Sequence, residues 1–263
     1  MRKPLVVIKL GGAAITDKKN IYTARTLVIK FIAKELLEIG RNFSIVMVHG
    51  AGSYGHIPVS KYKLKDGFSN LNQMAGLTQT KSKLLELETT LNQILCEYRL
   101  PVISMLASDC LTTRKGRIKT CDLDRIRRWL SLGCIPMLGG DLVVDHANGF
   151  AVISGDQIAA YLSIKLGASK LIFGTDVSGI FDRNPNLEAS AKLLPVVHAN
   201  SVHRLSRTKQ DVTDVTGGMG GKLKEAIYAL SHGVPVFVVS LLEPGRLLDL
   251  AYDRKTVCSE IVP

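Results

Sequence analysis

The sequence predicts an α/β fold in which helices cover both faces of a mainly parallel sheet. Three observations carry that expectation. Apolar, β-branched runs recur along the chain and are continuous rather than alternating, as strands buried on both faces are. Segments with helical spacing separate them, so strand and helix alternate through right-handed crossovers. Several runs end in a turn rich in glycine or aspartate, at the carboxyl edge where open α/β sheets bind ligands.

The elements follow in order. Residues 5–10 (LVVIKL) form a strand that carries Lys9 among apolar neighbours and ends at Gly11-Gly12-Ala13. Leu27, Phe31 and Leu36, with Ile32 and Ile39 nearby, give the next helix its inward face. Residues 44–48 form a strand that runs into His49-Gly50-Ala51-Gly52-Ser53-Tyr54-Gly55-His56. A long helix then presents Leu84, Leu87, Leu91, Ile94 or Leu95, and Tyr98 at steps of three and four. Residues 101–106 and 134–138 are strands, the second leading to Gly139-Gly140-Asp141. Ile153-Ser154-Gly155-Asp156 opens a helix over 157–166. A strand at 171–173 meets the turn from Gly174 through Asp176 to Gly179. The segment 214–222 opens a helix over 222–230, and 234–240 is a strand. The loop at Asn184-Pro185-Asn186 marks a soft division between two lobes of one domain.

Composition bounds the function. The 263 residues are 46% hydrophobic and 22% charged, which suits a globular chain and not a disordered one. No run approaches the ~18 apolar residues of a membrane span. Lys9 and Gly11-Gly12 interrupt the first apolar run too early for a signal peptide, so a cytoplasmic protein is expected. Cys96, Cys110, Cys121, Cys134 and Cys258 are scattered, which argues against a disulfide framework or a zinc site. The net charge of +11 suits an anionic partner. The basic residues are dispersed and aromatics do not interleave with them, so nucleic acid is the least favoured partner.

Glycine lets backbone N–H groups approach an anion, and a following helix N-terminus adds its positive end. Six such turns point to a site for several phosphates. Gly50-Ala51-Gly52-Ser53-Tyr54-Gly55 is a formal G-x-G-x-x-G, but no acidic residue falls within 68–76 to hold a ribose. Residues 216–223 fail as a P-loop, with Thr216 for the leading glycine and Leu223 after the lysine. Ser53 has the setting of a nucleophile elbow, yet the glycine density on both sides fits phosphate better.

Lysines decide the chemistry. A charged Lys9 inside an apolar strand is costly unless its head reaches an anion or a carboxylate. Lys222 begins a helix just beyond a glycine-rich loop, and Lys18 and Lys19 follow the first turn. Phosphoryl transfer relies mainly on positioning and on cations around the moving group. Several lysines with Mg²⁺, held against a carboxylate such as Asp156, meet that need.

The order of these motifs resembles the amino-acid kinase superfamily over almost the whole chain. Within it, residues 9–17 (KLGGAAITD), 49–56 (HGAGSYGH) and 214–219 (DVTGGM) resemble the isopentenyl phosphate kinases. The resemblance implies an open αβα sandwich, usually a homodimer. It implies transfer of the γ-phosphoryl group of ATP, with Mg²⁺, to isopentenyl phosphate, giving isopentenyl diphosphate in an alternative mevalonate route. Residues 1–165 would bind the acceptor and residues 166–263 the nucleotide. Lys9 and Lys18 would stabilise the transferring group, and Leu10, Gly11, Gly12 and Ala13 would border ATP. Ala51, Gly52 and Gly155 would line the acceptor phosphate, His56 would hydrogen-bond it, and Asp156 would orient the lysines. Asp176, Gly218 and Lys222, with Gly52, would contact ATP.

Departures from the family pattern are Ala13 for serine, Ala51 for glycine, Gln157 for an acidic residue or asparagine, and Ser178 for aspartate. None removes a charge from the chemistry. The helix bearing Met74, Leu77, Leu84 and Leu85 is a candidate wall for the acceptor's tail. At ~0.8 kcal/mol per buried CH₂, dimethylallyl phosphate should also be accepted. A phosphonate kinase of the fosfomycin type and a catalytically silent nucleotide-binding relative are the alternatives.

Overall fold

Helices pack against both faces of an eight-stranded sheet in the computed structural model of the chain, which describes residues 3–17, 20–201 and 218–263. In chain order the first elements are β1 (Leu5–Leu10), α1 (Gly12–Ile15), α2 (Thr26–Asn42), β2 (Ser44–His49), α3 (Gly52–Lys61), α4 (Gln73–Glu97) and β3 (Val102–Ser104). There follow α5 (Ala107–Cys110), β4 (Leu111–Arg114), β5 (Arg117–Cys121), α6 (Leu123–Ser131), β6 (Ile135–Gly139), β7 (Asp141–Asp145) and β8 (Gly149–Ile153). The last are α7 (Gly155–Leu166), β9 (Lys170–Thr175), β10 (Val196–His198), α8 (Gly218–Leu230), β11 (Val236–Ser240), α9 (Arg246–Ala251) and β12 (Cys258–Val262).

The large sheet has the order β10-β12-β11-β9-β1-β2-β6-β3 and is parallel except where β12 runs against β11. It is continuous from β3 to β12, so strands from both sides of the expected division at 165/166 share one sheet, with β9 directly beside β1. Two cores explain why its central strands are apolar throughout. Val7, Val46, Val48, Leu171 and Phe173 face α7 and α8, where Ile158, Leu162, Leu223 and Ala226 meet them. Val6, Ile8, Leu10, Ile45 and Met47 face α2, α4 and α9. A strand with a core on each side has no polar face to show, which removes the alternation of a half-exposed sheet.

Two expectations change, besides the start of α8, which lies at Gly218 and so puts Lys222 inside the helix and not at its first residue. On α2 the buried stripe is Ile29, Ile32, Ala33, Leu36 and Ile39, while Leu27 and Phe31 are exposed. The apolar residues of this helix exceed what one face can hold, and the sheet takes the stripe richest in isoleucine. The second change is an additional four-stranded sheet, β5-β4-β7-β8, built from two antiparallel hairpins. Its strands LTTR and RIKTC are short and half exposed, so they carry no continuous apolar run.

One carboxylate organises that sheet. Asp145 accepts hydrogen bonds from Thr113 Oγ1 (2.8 Å) and from the backbone N–H groups of Lys115, Gly116, Ala147 and Asn148 (2.8–3.1 Å). Burial pushes its pKa up, but the donors outweigh burial and hold it well below the usual carboxylate range. Asp145→Ala strands these donors, and urea denaturation should show a loss of roughly 3 kcal/mol at pH 7. Because the folded-state pKa is depressed, this contribution is full above about pH 4 and declines as pH falls further. Unchanged stability in the variant would remove Asp145 from this role.

Candidate active site

The carboxyl ends of β1, β2, β6 and β9 and the amino ends of α1, α3, α7 and α8 border one cleft of about 940 Å³. All six glycine- or aspartate-rich turns contribute to its wall, the last from Gly218 onward because residues 202–217 lie outside the described ones. Each helix end directs first-turn N–H groups and the positive end of its dipole toward this space.

Close backbone approach explains the glycines. A Cβ on Gly12 would lie 2.5 Å from the Gly52 nitrogen, and one on Gly50 would lie 2.7 Å from the Gly12 nitrogen. The first and second turns therefore touch main chain to main chain. Gly52 has φ +51°, and a side chain there would strike Thr16 Oγ1 at 2.2 Å. Ala51 sits at φ −77°, ψ −24°, an ordinary helical conformation, so alanine is unstrained at this position.

The floor of the cleft is charged. Lys9, only 5% exposed within β1, places Nζ 2.8 Å from Asp156 Oδ1, and Lys222 Nζ reaches the same oxygen at 3.0 Å. The Lys222 ammonium also lies 4.9 Å from the centre of the Phe173 ring. Burial pushes the Asp156 carboxyl up, but Lys222 and Lys9 outweigh it and hold it well below its usual range. Burial lowers the Lys222 pKa to about 8, with Asp156 opposing and Lys9 adding to the shift. Two cations sharing one anion leave net positive charge at the base of a glycine-lined cleft, the requirement for holding phosphate groups.

Neighbouring contacts that the sequence did not signal fix this group. Gln157, next to Asp156, accepts from Ile118 N (3.1 Å) and donates to Gly116 O (3.1 Å), tying α7 to the turn between β4 and β5. Ser154 caps the same helix by accepting from Gln157 N. Arg117 forms a two-point ion pair with Glu225, one helical turn beyond Lys222 on α8. The small sheet thus braces both helices that bring charge to the floor.

On one side of the charged floor the wall is apolar, formed by Val59, Leu84, Leu142, Val152 and Ile153. On the other side it carries Thr175, Asp176, Val177, Asn184, Asn186, Gly218 and Met219. Of the expected site residues, Lys9, Gly11, Gly12, Ala13, Ala51, Gly52, His56, Gly155, Asp156, Asp176, Gly218 and Lys222 all line the cleft. Leu10 does not. Its side chain is wholly buried in the core on the α2 face, and its carbonyl accepts from Gly50 N at 2.8 Å. Lys18 lies outside the described residues. Of the four α4 candidates only Leu84 reaches the cleft; Leu77 packs with Val59 and Leu64, and Met74 and Leu85 are exposed.

Among the described residues no cluster of three or more His, Cys, Asp or Glu side chains could hold a metal. The cleft wall does carry Asp17, Asp156 and Asp176. Mg²⁺ is ordinarily bound by one or two carboxylates together with substrate phosphate oxygens, and this wall fits that mode rather than a dedicated cage.

The model of the amino acid kinase family matches residues 4–240. An isopentenyl phosphate kinase of Methanothermobacter thermautotrophicus is 32% identical over 251 residues, covering 92% of this chain and 93% of the relative. An isopentenyl phosphate kinase of Thermoplasma acidophilum is 29% identical, covering 94% and 96%. A solved isopentenyl phosphate kinase structure superposes with a TM-score of 0.85 at 28% identity, covering 98% of this chain and 100% of the other.

The charged floor can be tested by stability alone. Asp156→Ala leaves two buried ammonium groups without their shared partner, and removing one member of a buried pair costs roughly 3 kcal/mol or more. Urea denaturation at pH 7 should show that loss. A variant as stable as the parent would mean that the two lysines do not depend on Asp156.

Proposed function

The chain belongs to the amino acid kinase family, and on that premise we propose that its cleft transfers the γ-phosphoryl group of ATP to isopentenyl phosphate. The observation that carries the reading is the charged floor set between two unlike walls. Lys9, Asp156 and Lys222 lie between them, an apolar recess extends to one side, and a mixed wall with Thr175, Asp176, Phe181, Asn184 and Gly218 extends to the other. A phosphate ester with a short hydrocarbon tail suits the first wall, and a nucleotide suits the second.

In this reading the acceptor's phosphate lies against the backbone of Ala51, Gly52 and Gly155, within reach of His56. His56 lines the cleft one helical turn into α3, beside the tail-side residues Ile57 and Val59. Val59, Leu84, Leu142 and Ile153 surround the tail. The nucleotide phosphates lie over Gly11, Gly12, Ala13 and the start of α8. An acceptor oxygen attacks the γ-phosphorus, the bond to the leaving oxygen breaks, and ADP departs with its electron pair. Charge that grows on the transferring oxygens meets Lys9 and Lys222, both buried at the cleft floor, where preorganised cations act most strongly. Asp156 keeps both ammonium groups aimed at one point. Mg²⁺, held by phosphate oxygens with Asp176, would neutralise charge on the β- and γ-phosphoryl oxygens. Lys18 would add a further cation from the first turn.

ADP release should be fast with Mg-ATP and isopentenyl phosphate, measurable with dimethylallyl phosphate, and at background with fosfomycin, acetylglutamate, UMP or no acceptor. Turnover on one of the last group alone would overturn the assignment of the acceptor while keeping phosphoryl transfer. His56→Ala should raise the acceptor KM with ATP affinity unchanged, and an unaltered acceptor KM would place His56 outside the acceptor site. Lys222→Ala should lower kcat by about 100-fold or more. The Lys222 ammonium loses its proton as pH rises through about 8, so ATP affinity should weaken between pH 7 and 9.5. Lys222→Arg, which stays charged, should remove that dependence.

A further inference from the structure

Beside the cleft lies a second, far smaller space. This void of about 10 Å³ shares Leu84, Gly140 and Asp141 with the cleft wall, and His49 and Glu88 also line it. Both residues are deeply buried, at 1% and 8% exposure. His49 Nε2 and Glu88 Oε1 have no hydrogen-bond partner among the described residues. Buried polar atoms are nearly always bonded, and a space of this size holds one water molecule.

The other ring nitrogen determines the tautomer of His49. Nδ1 lies 3.3 Å from the Gly50 carbonyl oxygen, which can only accept, so Nδ1 carries the hydrogen. Burial keeps the ring neutral, lowering its pKa to about 4, and the Lys9 ammonium acts in the same direction. Nε2 is therefore an acceptor that needs a donor. Charged and polar groups face Glu88 from each element around it. Asp141 comes from β7, Ser104 from β3, His49 from β2 and Lys81 from α4 itself. Burial first, and then the Asp141 carboxylate, pushes the Glu88 carboxyl up to about 7. Lys81 is already committed, with Nζ 2.7 and 2.8 Å from the two oxygens of Asp141.

We propose that His49 and Glu88 form a positioning pair behind the acceptor-phosphate cradle, bridged by one buried water and working in its uncharged form. The water donates to Nε2 and meets the Glu88 carboxyl, while Nδ1–H holds the carbonyl of Gly50, whose backbone touches Gly12 across the cradle. An uncharged Glu88 leaves Asp141, balanced by Lys81, as the carboxylate on this part of the anion-binding wall. Ionisation places a second negative charge behind the acceptor's phosphate. The kinetic consequence rests on the proposed acceptor, but the tautomer does not.

Two measurements on the full chain test the pair. ¹⁵N NMR of the histidine rings should show His49 neutral with hydrogen on Nδ1, and Glu88→Leu should shift its Nε2 signal. A hydrogen on Nε2, or a signal indifferent to Glu88→Leu, would overturn the pairing whatever the acceptor is. In kinetics, the KM for isopentenyl phosphate should rise about fivefold from pH 6 to 7.5, far more than the KM for ATP over the same range. Glu88→Gln, which remains uncharged and can still bond the water, should fold normally and hold the acceptor KM at its low-pH value throughout. A wild-type KM flat over this range, or a Glu88→Gln profile that still rises, would overturn the role of Glu88 ionisation.

Discussion

The structure depends above all on one buried carboxylate shared by two lysines. An ammonium group inside the central strand of a sheet with a core on each face is untenable alone. Lys9 is stable there because the first turn of α7 brings Asp156 to 2.8 Å, and that same oxygen receives Lys222 from α8. This requirement sets the placement of both helices against the carboxyl end of β1, and with it the floor of the cleft. The brace from the small sheet follows from the same need. Gln157 and the Arg117–Glu225 pair hold α7 and α8 from behind, so the charges meet at a fixed spacing.

Around this floor the main chain does most of the shaping. Gly12, Gly50 and Gly52 touch backbone to backbone, and a Cβ on Gly155 would meet the His49 carbonyl at 2.6 Å. These contacts bring the N-termini of α1, α3 and α7 to one cleft, which makes an anion site from peptide groups before any side chain acts. Side chains then divide the cleft into an apolar wall and a mixed one that carries Thr175, Asp176 and Asn184.

Much of this was legible in the sequence. Runs buried on both faces, such as LVVIKL, have no polar alternation and read as strands. A lysine inside one reads as a charge seeking a partner, and glycines after strands read as close approach. Where the reading changed, the cause was local ambiguity. On α2, Leu27 and Phe31 compete with Ile29 and Ile32 for the inward face, and spacing alone does not rank them. The strands at Leu111–Arg114 and Arg117–Cys121 pair with each other around a turn that Asp145 fixes, with no continuous apolar run, so their pattern carried no signal. Leu84 and Leu85 are neighbours with the same chemistry, yet one lines the cleft and the other is exposed at the edge of the small void.

By itself the sequence determined the alternation of strand and helix, the turns that meet at the sheet's carboxyl edge, and the lysines and aspartates available there. Each of these is written in residues close together along the chain, where periodicity and turn chemistry act. The sequence named Asp156 as the carboxylate for the lysines, but only the tertiary structure decided that Lys9 and Lys222 meet the same oxygen, that Glu225 anchors to Arg117, and that His49 and Glu88 line one void. The partners in the first two ion pairs formed by α8 lie 66 and 108 residues apart. No local period encodes such a pairing; it exists because a buried charge must find its complement wherever the folded backbone brings one within reach.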